Sequence, residues 1–123
     1  MLVQKITTLA KDVYSRLGPG FSERVYHNAM EVLLRKEGIS YETERIVPID
    51  FYGHTIGNMR ADLIVDKELV VELKAVKTLT PAMSTQAKKY LQLLNLQTAL
   101  LVNFPQQDGC LECETTVVES SCT

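Results

Sequence analysis

Between Val70 and Val76 the chain runs VVELKAV, an apolar stretch that holds an acid, Glu72, and a base, Lys74, two residues apart. A run this short and this rich in valine reads as a strand rather than a helix. Side chains alternate along a strand, so Glu72 and Lys74 share one face, about 7 Å apart, while Val71, Leu73 and Ala75 pack on the other. Val70 and Val76 flank the charged pair on its own face. A pair on a solvated sheet edge would have polar neighbours and would contribute little. The pattern instead asks for a buried strand with two ionisable groups kept inside it, and that reads as a site.

A third ionisable group is embedded in the same way: Asp62, within ADLIV. Whether it meets Glu72 depends on the loop between them. If residues 66–68 form a three-residue hairpin loop, Val65 pairs with Leu69 and Asp62 falls opposite Glu72, with Cβ atoms around 5 Å apart. A two-residue loop pairs Asp62 with Val71 and sends the acids to opposite faces. Two carboxylates in the first register repel unless a cation or a proton lies between them. An all-oxygen pair suits Mg²⁺ or Mn²⁺ rather than zinc. The Leu73 carbonyl is a candidate backbone ligand. Lys74 beside the cation suits orienting or deprotonating a water and stabilising charge on a phosphate. This donor set fits hydrolysis of a phosphodiester.

The rest of the chain supplies a scaffold. Leu2, Ile6, Leu9, Val13 and Leu17 recur at helical spacing over 2–17, and Gly18-Pro19-Gly20 stops that helix. Ser22 and Glu23 open a second helix, about 21–37, whose apolar face is expected to carry Phe21, Val25, Ala29, Val32 and Leu33, with Gly38 ending it. Strand patterns begin at Tyr41. Pro48 argues for an edge position or a bulge, and Gly53-His54 for a turn. A third helix, about 81–96, starts at Pro81 and carries Met83, Ala87, Tyr90, Leu91 and Leu94. The continuous apolar run 98–104 is a strand buried on both faces, and 110–119 is expected to form a last strand. The order ααβββαββ predicts an α/β or α+β fold, a sheet flanked by helices.

At 123 residues the chain is read as a single domain, 1–123. No apolar run approaches the ~20 residues of a membrane span, and the N-terminus lacks a signal core, so the protein reads as cytoplasmic with no membrane partner. Thirteen basic against 15 acidic side chains leave a net charge near −2, so no bulk attraction to nucleic acid is written into the composition. The small basic clusters, Arg35-Lys36 and Lys88-Lys89, read as solvated surface. Cys110 and Cys113 have the spacing of a zinc half-site, but no second pair exists and the two histidines, His27 and His54, are far upstream; with Cys122 they read as free thiols.

Asp62 followed ten residues on by Glu72-Leu73-Lys74 resembles the core of the PD-(D/E)XK nuclease superfamily. GFSERVY, Gly20 to Tyr26, matches the motif of that superfamily's GxxExxY family, and QAKKYL, Gln86 to Leu91, followed by LLVNF resembles the helix and strand that come after it. The resemblance covers about residues 3–105. It implies a restriction-endonuclease-like core, a central mixed sheet with helices on both sides, and an Mg²⁺ (or Mn²⁺) site built from Asp62, Glu72 and Lys74. Glu23 would complete the metal site, and Gln86 and Tyr90 would support it or contact substrate. Tyr26 reads as a packing residue whose hydroxyl finds a partner. Two departures stand out: Met83 occupies a position where histidine is expected, and Arg60-Ala61 stands where a proline precedes the core aspartate. Arg60 suits a phosphate contact or simply a strand end.

The resulting expectation is a metal-dependent nuclease acting on DNA or RNA, with Glu23, Asp62, Glu72 and Lys74 catalytic. The competing reading is a non-catalytic module that binds nucleic acid or protein on the same fold, with a homodimer as one way to cover a duplex. A third is a structural domain in which Glu72 and Lys74 form a buried salt bridge.

Overall fold

The computed structural model describes residues 1–107 and 109–118; Cys122 lies outside them. Helix α1 (Leu2–Leu17) buries Ile6, Leu9 and Val13, as its spacing predicts, and Ala10 beside them, but leaves Leu17 exposed. Gly18 (φ 72°) and Gly20 (φ 103°) then reverse the chain in conformations that glycine adopts without a Cβ penalty. Ser22 caps helix α2 (Glu23–Lys36), its Oγ accepting the Val25 N–H at 3.4 Å.

The buried face of α2 differs from the expected one. Tyr26, His27, Met30 and Leu34 point inward, Ala29 and Leu33 are half-buried, and Val25 and Val32 are exposed. Both stripes have helical spacing and are offset by one residue, so periodicity could not separate them. Tyr26 decides between them. Its ring stacks on Phe104 with centroids 4.4 Å apart, and its hydroxyl donates to the Gly18 carbonyl at 2.7 Å and accepts the Phe21 N–H at 3.3 Å. That single side chain locks the 18–21 turn to the core, and with it the start of α2.

Five strands follow in one sheet: β1 (Tyr41–Phe51), β2 (His54–Val65), β3 (Leu69–Lys74), β4 (Thr98–Asn103) and β5 (Glu112–Val117), in the spatial order β1-β2-β3-β4-β5. Helix α3 (Pro81–Leu94) is the crossover that makes β3 and β4 parallel; every other pair is antiparallel. The element order is the expected ααβββαββ, and the sheet is mixed. Pro48 lies in the edge strand β1. The β1–β2 turn is at Tyr52-Gly53, one residue earlier than expected, because those two residues take positive φ.

Helices cover both faces. On one, α1 and α2 pack against Leu63, Val65, Val71, Leu73, Leu100 and Val102. On the other, Ala87, Tyr90 and Leu91 of α3 pack against Ala61, Ile64, Val70, Ala99 and Leu101. β4 is therefore buried on both sides, which is why its sequence shows no polar alternation. β3 stops at Lys74 rather than Val76. There the buried Asn103 amide takes over from the ladder: its Oδ1 accepts the Val76 N–H at 2.9 Å and its Nδ2 donates to the Val76 carbonyl at 3.0 Å.

Candidate active site

The β2–β3 register is Val65 with Leu69, Ile64 with Val70 and Leu63 with Val71, so the loop has three residues. Asp66 and Lys67 both take positive φ, and the Glu68 N–H closes the turn on the Val65 carbonyl at 3.1 Å. Continued by one step, this register faces Asp62 with Glu72, and here the backbone ladder ends. Side chains replace it: the Asp62 N–H donates to Glu72 Oε2 at 3.3 Å, and the Leu73 N–H donates to Asp62 Oδ2 at 2.8 Å. Each carboxylate is thus fixed by the other strand's backbone.

The site also interrupts the alternation of β2. Leu63 and Val65 belong to the α1/α2 side and Ile64 to the α3 side, yet Ala61 also lies on the α3 side, so the pattern slips by one residue at Asp62. Across from Asp62, between the pairs Thr43–Leu63 and Arg45–Ala61, sits Glu44, whose φ of 53° is left-handed inside a strand.

Glu72 is 4% exposed. Burial pushes its carboxyl up to about 9, helped by the charge of Asp62 and a hydrogen bond with that side chain and opposed by the Asp62 N–H and then Lys74. Its Oε1 is buried without a hydrogen-bond partner. Among the described residues no Glu72–Lys74 salt bridge satisfies that oxygen. An unpartnered buried carboxylate oxygen is costly, and facing a second carboxylate it is the kind of atom that a hard cation satisfies. The residues present therefore fit such an ion.

Asp62 is half-buried and lines a cavity of about 190 Å³ with Glu23, Arg24, His27 and Arg60. Glu23 is the first residue of α2. Its carboxyl is raised by partial burial first and by Asp62's charge second, with Lys74, His27 and Arg24 pulling the other way. Lys74 is half-buried at the end of β3, beside Asn103 of β4. Tyr90 donates its hydroxyl to the Arg60 carbonyl at 2.6 Å, and burial, then the charge of Glu72, raises it to about 12. Asp62, Glu72, Leu73, Lys74, Glu23, Arg60 and Tyr90 are thus gathered where β2 and β3 part, at the C-terminal end of β3. Gln86, one turn before Tyr90 on α3, is exposed. Among the described residues no three His, Cys, Asp or Glu side chains converge into a ready metal cage, and Cys110 and Cys113 are free and exposed.

Three residues at the site were not singled out from the sequence: His27, Arg24 and Glu44. His27 is buried, with Nε2 at 2.9 Å from both Thr43 Oγ1 and Glu31 Oε2, fastening α2 to β1. Its position one helical turn after Glu23 is a signal the sequence does contain. Arg24 and Arg60 both reach the Glu44 carboxylate, Arg60 at 3.9 Å and Arg24 by a close ion pair. No sequence pattern announces that contact, because it depends on the left-handed turn at Glu44.

Residues 1–114 match the family model of the PD-(D/E)XK nuclease superfamily. Among curated proteins none is significantly similar. In the crystal structure of SSO0001 the fold superposes with a TM-score of 0.56 at 21% identity, over 80% of this chain and 52% of that one. That likeness is one of fold, and the chain spans about half the length of that protein.

Proposed function

The chain belongs to the PD-(D/E)XK nuclease superfamily, and from that premise we propose that it hydrolyses phosphodiester bonds in nucleic acid with the help of Mg²⁺ or Mn²⁺. The observation that carries the proposal is Glu72, held in the sheet opposite Asp62 with one carboxylate oxygen unpartnered. Asp62 and Glu72 would be the carboxylate ligands. The Leu73 carbonyl, water and the substrate would supply a hard cation's other oxygens, which suits Mg²⁺ because it keeps several waters. Glu23 borders the same cavity from α2 and adds negative charge that favours a cation there. Bound at this point, the cation supplies Lewis-acid polarisation of a phosphoryl oxygen and eases deprotonation of a water.

The protein's own groups do the positioning. The Leu73 N–H holds Asp62 Oδ2, and the Asp62 N–H holds Glu72 Oε2, so neither carboxylate is free to swing. Lys74 orients the attacking water and offsets charge that develops on the phosphate. Tyr90 anchors the Arg60 backbone, and the buried Asn103 amide fixes the chain just beyond Lys74. We further assign the chain to the GxxExxY group. Gly20 supplies a left-handed turn, Glu23 reaches the cavity, and Tyr26 ties that turn to the core. The motif thus has a physical reading as turn, acid and anchor.

Incubation of the protein with single- and double-stranded DNA and RNA, with Mg²⁺ or with EDTA, tests the proposal. Cleavage with Mg²⁺ that is lost in Asp62→Asn and in Lys74→Gln is expected. Binding without cleavage in Mg²⁺, and again when Mn²⁺ replaces it, would reject the enzyme and leave the nucleic-acid-binding module.

A further inference from the structure

Two arginines from distant parts of the chain converge at the rim of the site. Arg24 lies in the first turn of α2, Arg60 lies in β2, and both line the cavity that holds Glu23, His27 and Asp62. Neither guanidinium is left to solvent alone: a single carboxylate, that of Glu44, pairs with both. Each Glu44 oxygen takes one arginine, Oε1 facing Arg24 and Oε2 facing Arg60. A phosphate of a nucleic-acid backbone presents two non-bridging oxygens in the same way.

Glu44 occupies this place at a conformational cost. Its φ of 53°, in the interior of an edge strand and directly across from Asp62, is one that a non-glycine residue rarely adopts. Strain of this kind beside a cluster of charged groups marks a position held by its surroundings, and the two arginines are the charged partners of its side chain. Glu23 and Asp62 make the inner part of the cavity negative, so an incoming phosphate belongs at the guanidinium edge and not among the carboxylates.

We propose that Arg24 and Arg60 form a phosphate-binding subsite beside the carboxylate centre, and that the Glu44 carboxylate fills it in the free protein as a stand-in for a nucleic-acid phosphate. The proposal takes nucleic acid as the substrate class from the functional reading above but needs neither the metal nor cleavage. It also reconciles an acidic chain with a nucleic-acid substrate: the phosphate contacts exist, but an internal acid quenches them until a polyanion displaces it.

The test is fluorescence anisotropy of a short fluorescein-labelled DNA duplex and its single strand, in EDTA, over a series of salt concentrations. Glu44→Gln is expected to tighten binding about tenfold, since it removes the competing anion and keeps the shape. Glu44→Gly removes the anion and the backbone strain together and gives the same direction, which guards against misfolding of the first variant. Arg24→Gln and Arg60→Gln are each expected to weaken binding several-fold and to reduce the slope of log affinity against log salt by about one. Unchanged or weaker binding in both Glu44 variants overturns the proposal. So do arginine variants that keep the parent salt slope, or DNA that binds neither the parent protein nor Glu44→Gln at low salt. No metal-dependent cleavage by the parent protein, with these affinities as expected, would refute the nuclease reading and leave the subsite standing.

Discussion

Replacing Glu72 by Gln is expected to stabilise the metal-free protein, although Glu72 is buried and hydrogen-bonded. In the unfolded chain Glu72 ionises near 4.5; in the folded one burial and Asp62 raise it to about 9. Between those values folding takes up a proton. The stability this group contributes is therefore fully present below about 4.5 and is lost as pH rises towards 9. At pH 7 the loss spans two and a half pH units at about 1.4 kcal/mol each, roughly 3 kcal/mol. Gln is neutral at every pH: its carbonyl can keep the bond from the Asp62 N–H, and its amide can donate to the Asp62 carboxylate. Urea unfolding in EDTA between pH 5 and 9 is the assay. The parent should lose stability steadily across that range, and Glu72→Gln should be nearly flat and about 3 kcal/mol more stable at pH 7. Asp62→Asn removes the neighbouring charge but leaves the burial, so it should make the profile shallower without flattening it. A Glu72→Gln protein that is less stable at pH 7, or that keeps the parent's pH slope, would refute the reasoning.

Three other changes follow from named contacts. Tyr26→Phe keeps the stack on Phe104 but strands the Gly18 carbonyl and the Phe21 N–H, and should cost about 1–3 kcal/mol in urea unfolding. Asn103→Ala frees both backbone groups of Val76 and one bond to Glu112 Oε1, and should destabilise by a similar ~1–3 kcal/mol while lowering cleavage further than the lost stability explains. Lys74→Gln should reduce cleavage by at least about a hundredfold, measured at saturating Mg²⁺, and leave metal affinity nearly unchanged.

Much of the candidate site's geometry could be read before the structure. Apolar residues around Asp62, Glu72 and Lys74 announced a buried strand pair, and the outcome turned on one countable feature, the three-residue loop 66–68. The order of elements was equally legible, because the periods of α1 and α3 and the unbroken apolar run of β4 are strong local signals. The inward face of α2 was not. Two stripes of equal periodicity compete there, and the choice rests on Tyr26 meeting Phe104 from the far end of the chain. The Arg24–Glu44–Arg60 contact was hidden for a related reason: it needs a left-handed residue within β1, which no glycine advertises. Local pattern fixed the elements, and long-range contact fixed their phase and the rim of the site.

Titration of Mn²⁺ or Mg²⁺ into the protein by calorimetry, alone and with a short DNA duplex present, tests the central claim most directly. The account predicts stoichiometric binding to the parent, in one or both titrations, and none to the Asp62→Asn, Glu72→Gln double variant. Binding that survives in the double variant, or that is absent from the parent even with the duplex at millimolar metal, would contradict it.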